Sequence, residues 1–215
     1  ISFFKRKKKE QGIIIFNSQY LMDTDAMKGE VFEYDQCQVL DAMPAKSSMT
    51  IYMGVDLAVS EKDQKENAMF AMAVIGHDRR ANTYCGLAYY QARIPFPKQT
   101  QKIIIWNDRW KPARIGIEKN GYQKGQCQQI KMQRPDVPVV PIHTDVDPMT
   151  RAWRLNVPFE DGRFYFLKEH QLWIEHMVLY PGGGLHDLMD ATYNAYQCSV
   201  GRASRKSRSN EPGVI

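Results

Sequence analysis

The sequence predicts an α/β domain built on a mixed sheet flanked by helices, and three observations carry that expectation. Three consecutive β-rich runs lie at Ile51–Ala58, Ala68–Gly76 and Asn82–Gln91, and the polar stretches between them, Ser60–Asn67 and His77–Ala81, suit hairpin turns. From Pro97 onward the pattern switches to alternating helix and strand, which calls for parallel strands joined by crossover helices. With 215 residues, 43% hydrophobic and 25% charged, the chain is long and apolar enough for one medium domain with a packed core.

The elements follow in order. Pro97 opens a helix over Lys98–Trp110 whose apolar face is Ile103, Ile104 and Trp106, and Pro112 ends it. Arg114–Glu118 is a short strand, Gly121–Gln133 a second helix, Val137–His143 a strand despite Pro138 and Pro141, and Pro148–Leu155 a short helix. Arg163–Leu167 reads as a late strand, Lys168–Tyr180 as an amphipathic helix, and Leu185–Ser199 as a final helix behind the Pro181-Gly182-Gly183-Gly184 turn. Upstream, residues 1–12 read as flexible and Ile13–Phe16 as a short apolar run. No period of 2 or 3.6 persists from Met22 to Ser48, an irregular lead-in. The expected division is therefore a lead-in over 1–49, a folded domain over 50–200 and a basic tail over 201–215.

Composition excludes several classes. No apolar run approaches the ~18 to 20 residues of a membrane span. The N-terminal stretch has bases but no apolar segment leading to a cleavage site, so a cytosolic protein is expected. Cys37, Cys85, Cys127 and Cys198 stand alone, with no Cys-x-x-Cys pair and no His at zinc spacing, and read as buried thiols. The net charge of +5 sits at the ends: residues 1–10 carry +4 and residues 201–215 carry +3, leaving 20 bases against 22 acids in between. The body is near neutral, and the ends could either touch a polyanion or merely aid solubility. Neither a phosphate-cradling Gly-Lys-Ser/Thr loop nor a Gly-x-Ser-x-Gly elbow is present, so the chain should neither hydrolyse ATP nor act as a serine hydrolase.

What remains is a set of acids in costly places. Asp56 interrupts the apolar strand Ile51–Ala58, and Glu118 ends the strand Arg114–Glu118. A carboxylate in such a setting costs several kcal/mol unless something pairs with it. Asp187 and Asp190, three apart, share a face at the start of the final helix. Carboxylates converging from three separated elements suit hard divalent cations such as Mg²⁺ or Mn²⁺, and two ions ~3.5 to 4 Å apart can support phosphodiester hydrolysis. Each acid also has a structural reading: Asp56 starting a turn, Glu118 pairing with Lys119 or Arg114, Asp187 complementing the helix dipole.

Read together, these segments resemble the C-terminal nuclease domain of the large terminase subunit of tailed bacteriophages, which has an RNase H-like fold. Gly54-Val55-Asp56-Leu57-Ala58 looks like the family's first-strand motif, and Ile117-Glu118-Lys119-Asn120-Gly121-Tyr122-Gln123 like its middle acid and following helix start. His186-Asp187-Leu188-Met189-Asp190-Ala191 looks like its final-helix acid motif, and Phe159–Phe166 like the strand that precedes the last helices. The upstream Phe16–Leu21 resembles the segment where the ATPase half of the motor ends. The resemblance implies a metal-dependent endonuclease that cuts concatemeric viral DNA during genome packaging, in the cytoplasm of the infected host. Asp56 would bridge two Mg²⁺ or Mn²⁺ ions, with Glu118 and Asp187 completing one shell each. Asp190 would support them, and Arg151, Arg154 and Lys119 would touch DNA phosphates. The implied partners are double-stranded DNA, the small terminase subunit and the capsid portal. Two positions depart from the family pattern: His186 stands where many members have an acid, and Asn67 where an acid often precedes the second strand, with Asp63 nearby. The alternatives are another RNase H-like nuclease, such as a junction resolvase or transposase core, and a catalytically silent DNA-binding or docking module.

Overall fold

The computed structural model describes residues 30–57, 69–118, 123–143, 146–182 and 186–201. Its centre is a seven-stranded mixed sheet. In chain order the elements are β1 (Gln38–Leu40), β2 (Thr50–Asp56), β3 (Phe70–Asp78), β4 (Thr83–Ala92), α1 (Phe96–Trp110), β5 (Arg114–Glu118), α2 (Gln123–Gln133), β6 (Val139–Ile142), α3 (Pro148–Glu160), β7 (Phe164–Leu167), α4 (Gln171–Val178) and α5 (Asp187–Val200). The sheet order is β1-β7-β4-β3-β2-β5-β6. The β2–β3 and β3–β4 pairs are antiparallel and the other four are parallel. This is the expected mixed sheet, antiparallel first and parallel after.

Strand alternation divides the core into two layers. Along β2, Met53, Val55 and Leu57 face a cluster completed by Ile103 and Trp110 of α1 and Ile130 of α2. Tyr52, on the other face, joins the cluster of α3, α4 and α5, which includes Phe159, Trp173 and Ala191. The buried stripe of α1 runs through Thr100, Ile103, Asn107 and Trp110, at helical spacing. Of the expected face only Ile103 is fully buried, with Ile104 and Trp106 at the margin. Gln126 ties α2 to α1 by donating to Thr100 Oγ1 at 2.7 Å.

Three elements differ from expectation. Gln38–Leu40 forms a seventh strand beside β7 within the supposedly irregular lead-in, and Phe32 is fully buried. Three residues are too few to show a period, and only pairing reveals them. The helix expected to stop at Leu155 continues to Glu160 through Pro158. Proline in the last turn costs little beyond the one helical donor it lacks, and the next turn forms regardless, as Arg163 N donates to Pro158 O. The helix expected over Lys168–Tyr180 begins with a 3₁₀ turn at Lys168–His170 before α4. β6 tolerates Pro141 because it is an edge strand with one pairing side, opposite Ile117.

Helix α5 lies across β2, β3 and β5, and two glycines explain how close it comes. Gly54 and Gly116 are register partners on adjacent parallel strands. A Cβ on Gly54 would fall 1.9 Å from Ala191 O and 2.3 Å from Ala195 N, and one on Gly116 would fall 2.7 Å from Asn194 O. The helix backbone therefore rests directly on the sheet backbone. Asn194 Nδ2 donates to Val55 O at 3.0 Å, and Arg114 of β5 donates to the carbonyls of Gly201 (3.0 Å) and Cys198 (3.4 Å), satisfying acceptors that the helix end leaves open. Its N-terminal turn is thereby held above the carboxyl end of β2.

Candidate metal centre

The site is built at the carboxyl ends of the parallel pair β2 and β5, where open α/β sheets place their ligands. Asp56 and Glu118 end these strands, one residue beyond the paired Val55 and Ile117. Asp56 is also the register partner of Ala71, which pairs with Gln91, so the three form a row across β2, β3 and β4. From above, Asp187 Oδ1 accepts from Met69 N at 3.2 Å and Oδ2 from Gln91 Nε2 at 3.5 Å. These bonds stitch the first turn of α5 to β3 and β4.

Asp190, one turn further along α5, meets Arg151 of α3: Nη1 lies 2.7 Å from Asp190 Oδ1 and 3.7 Å from Glu118 Oε2. Arg151 is buried, and its position is fixed from the helix start. Pro148 opens the helix and Asp147 caps it, accepting from Thr150 N at 3.0 Å and from Thr150 Oγ1 at 2.6 Å.

Glu118 and Asp190 thus face one guanidinium, and the protonation of Asp56, Asp190 and Asp187 shows the excess of negative charge. Loss of water contact pushes the Asp56 carboxyl well above its ordinary range, and Asp190, Asp187 and Glu118 push it further, against the pull of Arg151. Asp190 is raised to about 6, chiefly by burial, with Arg151 opposing. Asp187 is also raised by burial, offset by its bonds to Met69 and Gln91. Hard divalent cations fit this donor set: oxygen-only, anionic and in excess over the facing cation. As they stand, no three His, Cys, Asp or Glu among the described residues enclose an ion-sized space. Arg151 occupies the gap between Glu118 and Asp190.

Of the residues singled out in the sequence, Asp56, Glu118, Asp187 and Asp190 come together electrostatically. His186 lies just before α5, its ring edge-on to Tyr180 with centroids 5.0 Å apart. Arg154 is exposed on α3, whereas Arg151 points into the acids instead of toward solvent. Asp63 and Lys119 lie outside the described residues. Sequence reasoning missed Gln91 and Asn194. Gln91 continues the row facing α5 at the polar end of β4, and Asn194 is the amide within the stripe of Ala191, Ala195 and Cys198. A polar residue breaking an apolar stripe was the available signal for both.

A family model described as the terminase RNase H-like domain matches residues 53–198. No curated protein sequence matches the chain. Among solved structures, the large terminase nuclease of thermophilic phage G20c with bound magnesium superposes with a TM-score of 0.60 at 11% identity, covering 79% of this chain and 97% of that one. The P22 large terminase nuclease domain gives 0.57 at 15% identity, covering 78% and 90%. The nuclease domain of the SPP1 large terminase with bound manganese gives 0.53 at 11%, covering 77% and 98%.

Proposed function

The chain belongs to the terminase RNase H-like domain family, and from that membership and the acid cluster we propose that it is a divalent-metal-dependent DNA endonuclease that cuts concatemeric viral DNA during genome packaging. The observation that carries the reading is the electrostatic coupling of Asp56 on β2 to Glu118 on β5 and to Asp187 and Asp190 on α5, with Arg151 between Glu118 and Asp190. Bound magnesium in the G20c nuclease and manganese in the SPP1 nuclease support Mg²⁺ or Mn²⁺ as the cofactor, and two ions are the proposed number on the chemistry of phosphodiester hydrolysis.

In this reading Asp56, Glu118 and Asp187 would hold the ions, with Asp56 central, and Asp190 would orient the site from behind. When bound, such ions supply Lewis acidity toward the phosphodiester and lower the pKa of water. The chain's own part is to hold the carboxylates in place. Met69 N–H and Gln91 aim Asp187, and the α5–sheet contact sets its height above Asp56. No side chain is needed as a covalent nucleophile. Arg154, exposed on α3, and Lys119 are the proposed phosphate contacts, giving salt-sensitive binding with little sequence preference. Target choice then rests with the small terminase subunit, the capsid portal and an ATPase half, in the cytoplasm of an infected bacterium. Among the described residues no helix is long and apolar enough to cross a membrane.

The test is nicking of a supercoiled plasmid at high protein concentration in Mn²⁺, which EDTA should abolish. A protein that only binds DNA would leave the plasmid intact. Asp190→Asn should reduce cleavage by about 10- to 100-fold without eliminating it, the usual cost of losing an orienting group behind a metal ligand. Asp187→Asn should eliminate it. Complete loss at Asp190 with none at Asp187 would reverse the two roles.

Metal loading should depend on pH. Because Asp190 holds its proton up to about 6, protons compete with the ions below that value. Mn²⁺ affinity, read by titration calorimetry, is expected to climb between pH 5 and 7 and then level off. A flat profile over that interval would exclude Asp190 and its neighbours from the binding step.

A further inference from the structure

Arg151 is placed unlike a residue waiting for DNA. Its side chain is 9% exposed, and its closest approach to two acids from two elements, Asp190 on α5 and Glu118 on β5, is in both cases through Nη1. The strong form of a guanidinium–carboxylate contact is the two-pronged fork. Here the shortest contact to each acid is through Nη1, and neither the buried Nε nor Nη1 has a partner in hydrogen-bond geometry. The guanidinium is thus enclosed by charge yet incompletely satisfied.

We propose that Arg151 is a built-in counter-cation that fills the acid pocket in the metal-free protein, and that a divalent ion must displace its guanidinium from between Glu118 and Asp190 in order to bind. The inference rests on the metal-centre reading above and adds a competitor to it. Partly buried carboxylates left without a cation would repel one another, so a resident positive charge keeps the folded protein stable before metal arrives. The backbone carrying Arg151 cannot withdraw, because Ala152, Leu155 and Phe159 anchor α3 in the core and Asp147 caps its start. Displacement therefore falls on the side chain alone, whose long stem can turn out of the gap. Metal affinity is reduced by the share of time the guanidinium occupies that gap.

Two substitutions in the full chain test this. Mn²⁺ binding is read by electron paramagnetic resonance, and melting is followed by circular dichroism in EDTA and in Mn²⁺. Arg151→Met is expected to bind Mn²⁺ about tenfold more tightly than the wild type, within the usual range of coupling between competing ligands. In EDTA its Tm should fall by several degrees, and Mn²⁺ should raise that Tm more than it raises the wild type's. Arg151→Lys should fall between the two, since an ammonium can face one acid closely but not both. A folded Arg151→Met protein with unchanged or weaker Mn²⁺ affinity overturns the proposal. Should that variant fail to fold, unchanged or weaker affinity in Arg151→Lys overturns it equally. If neither the wild type nor the variants hold Mn²⁺ at millimolar concentration, the metal-centre reading itself falls and this inference with it, an outcome distinct from tight but equal binding.

Discussion

Asp56→Asn should lower plasmid cleavage by about a thousandfold or more, the scale of losing a group on which the whole site depends, while leaving the metal-free protein as stable as the wild type or more so. The two effects have opposite signs for one reason. The Asp56 carboxylate is largely withdrawn from water and is repelled by three other acids, so its proton is held well above the ordinary value. Above that ordinary value the folded state binds more proton than the unfolded chain, and stability falls as pH rises through the window up to the raised folded value. Asparagine carries no charge and escapes that loss. In EDTA the Tm advantage of the variant should therefore grow from pH 4 to pH 7.5, by about 2–4 °C for each kcal/mol of repulsion removed. In Mn²⁺ the order should invert, because the wild type gains binding energy that the variant forfeits. An Asp56→Asn protein that still nicks DNA would contradict the assignment.

Gly54→Ala is expected to cost about 3 kcal/mol or more, at the upper end of overpacking effects, or a Tm drop of about 6–12 °C. The new Cβ would strike Ala191 O and Ala195 N, both backbone atoms of α5, and no rotamer change relieves a backbone clash. The helix must rise from the sheet, taking Asp187 and Asp190 away from Asp56 and stretching the Asn194–Val55 bond. Any folded fraction should therefore bind Mn²⁺ poorly. Gly125→Ala is the matched control: its Cβ meets no described atom within 4 Å inside α2, so it should be neutral or stabilising by about 0.5–1 kcal/mol. Equal effects at the two positions would mean that close approach of α5 does not set the site.

Much of this architecture could be read from the chain because its signals are local. The β-rich runs of β2, β3 and β4 and the alternation of helix and strand from Pro97 onward point to the mixed sheet, and the strand Arg114–Glu118 has the expected bounds. Elements defined by pairing partners were not legible. β1 is three residues long and largely exposed, and nothing in Gln38-Val39-Leu40 announces that β7 lies beside it. The acids stood out because a carboxylate in an apolar strand demands an explanation. Arg151 stood out only as a phosphate contact, because an arginine near a helix start looks the same whether it faces solvent or carboxylates. Its role depends on a fold contact between α3 and the ends of β5 and α5, which no local pattern encodes.

The most direct test of the central claim is a crystal soaked in Mn²⁺ and measured at a wavelength where manganese scatters anomalously. The account predicts anomalous peaks touched by carboxylate oxygens of Asp56, Glu118 and Asp187, with the Arg151 guanidinium withdrawn from between Glu118 and Asp190. Peaks elsewhere on the molecule, or none beside Asp56 in a well-soaked crystal, would contradict it.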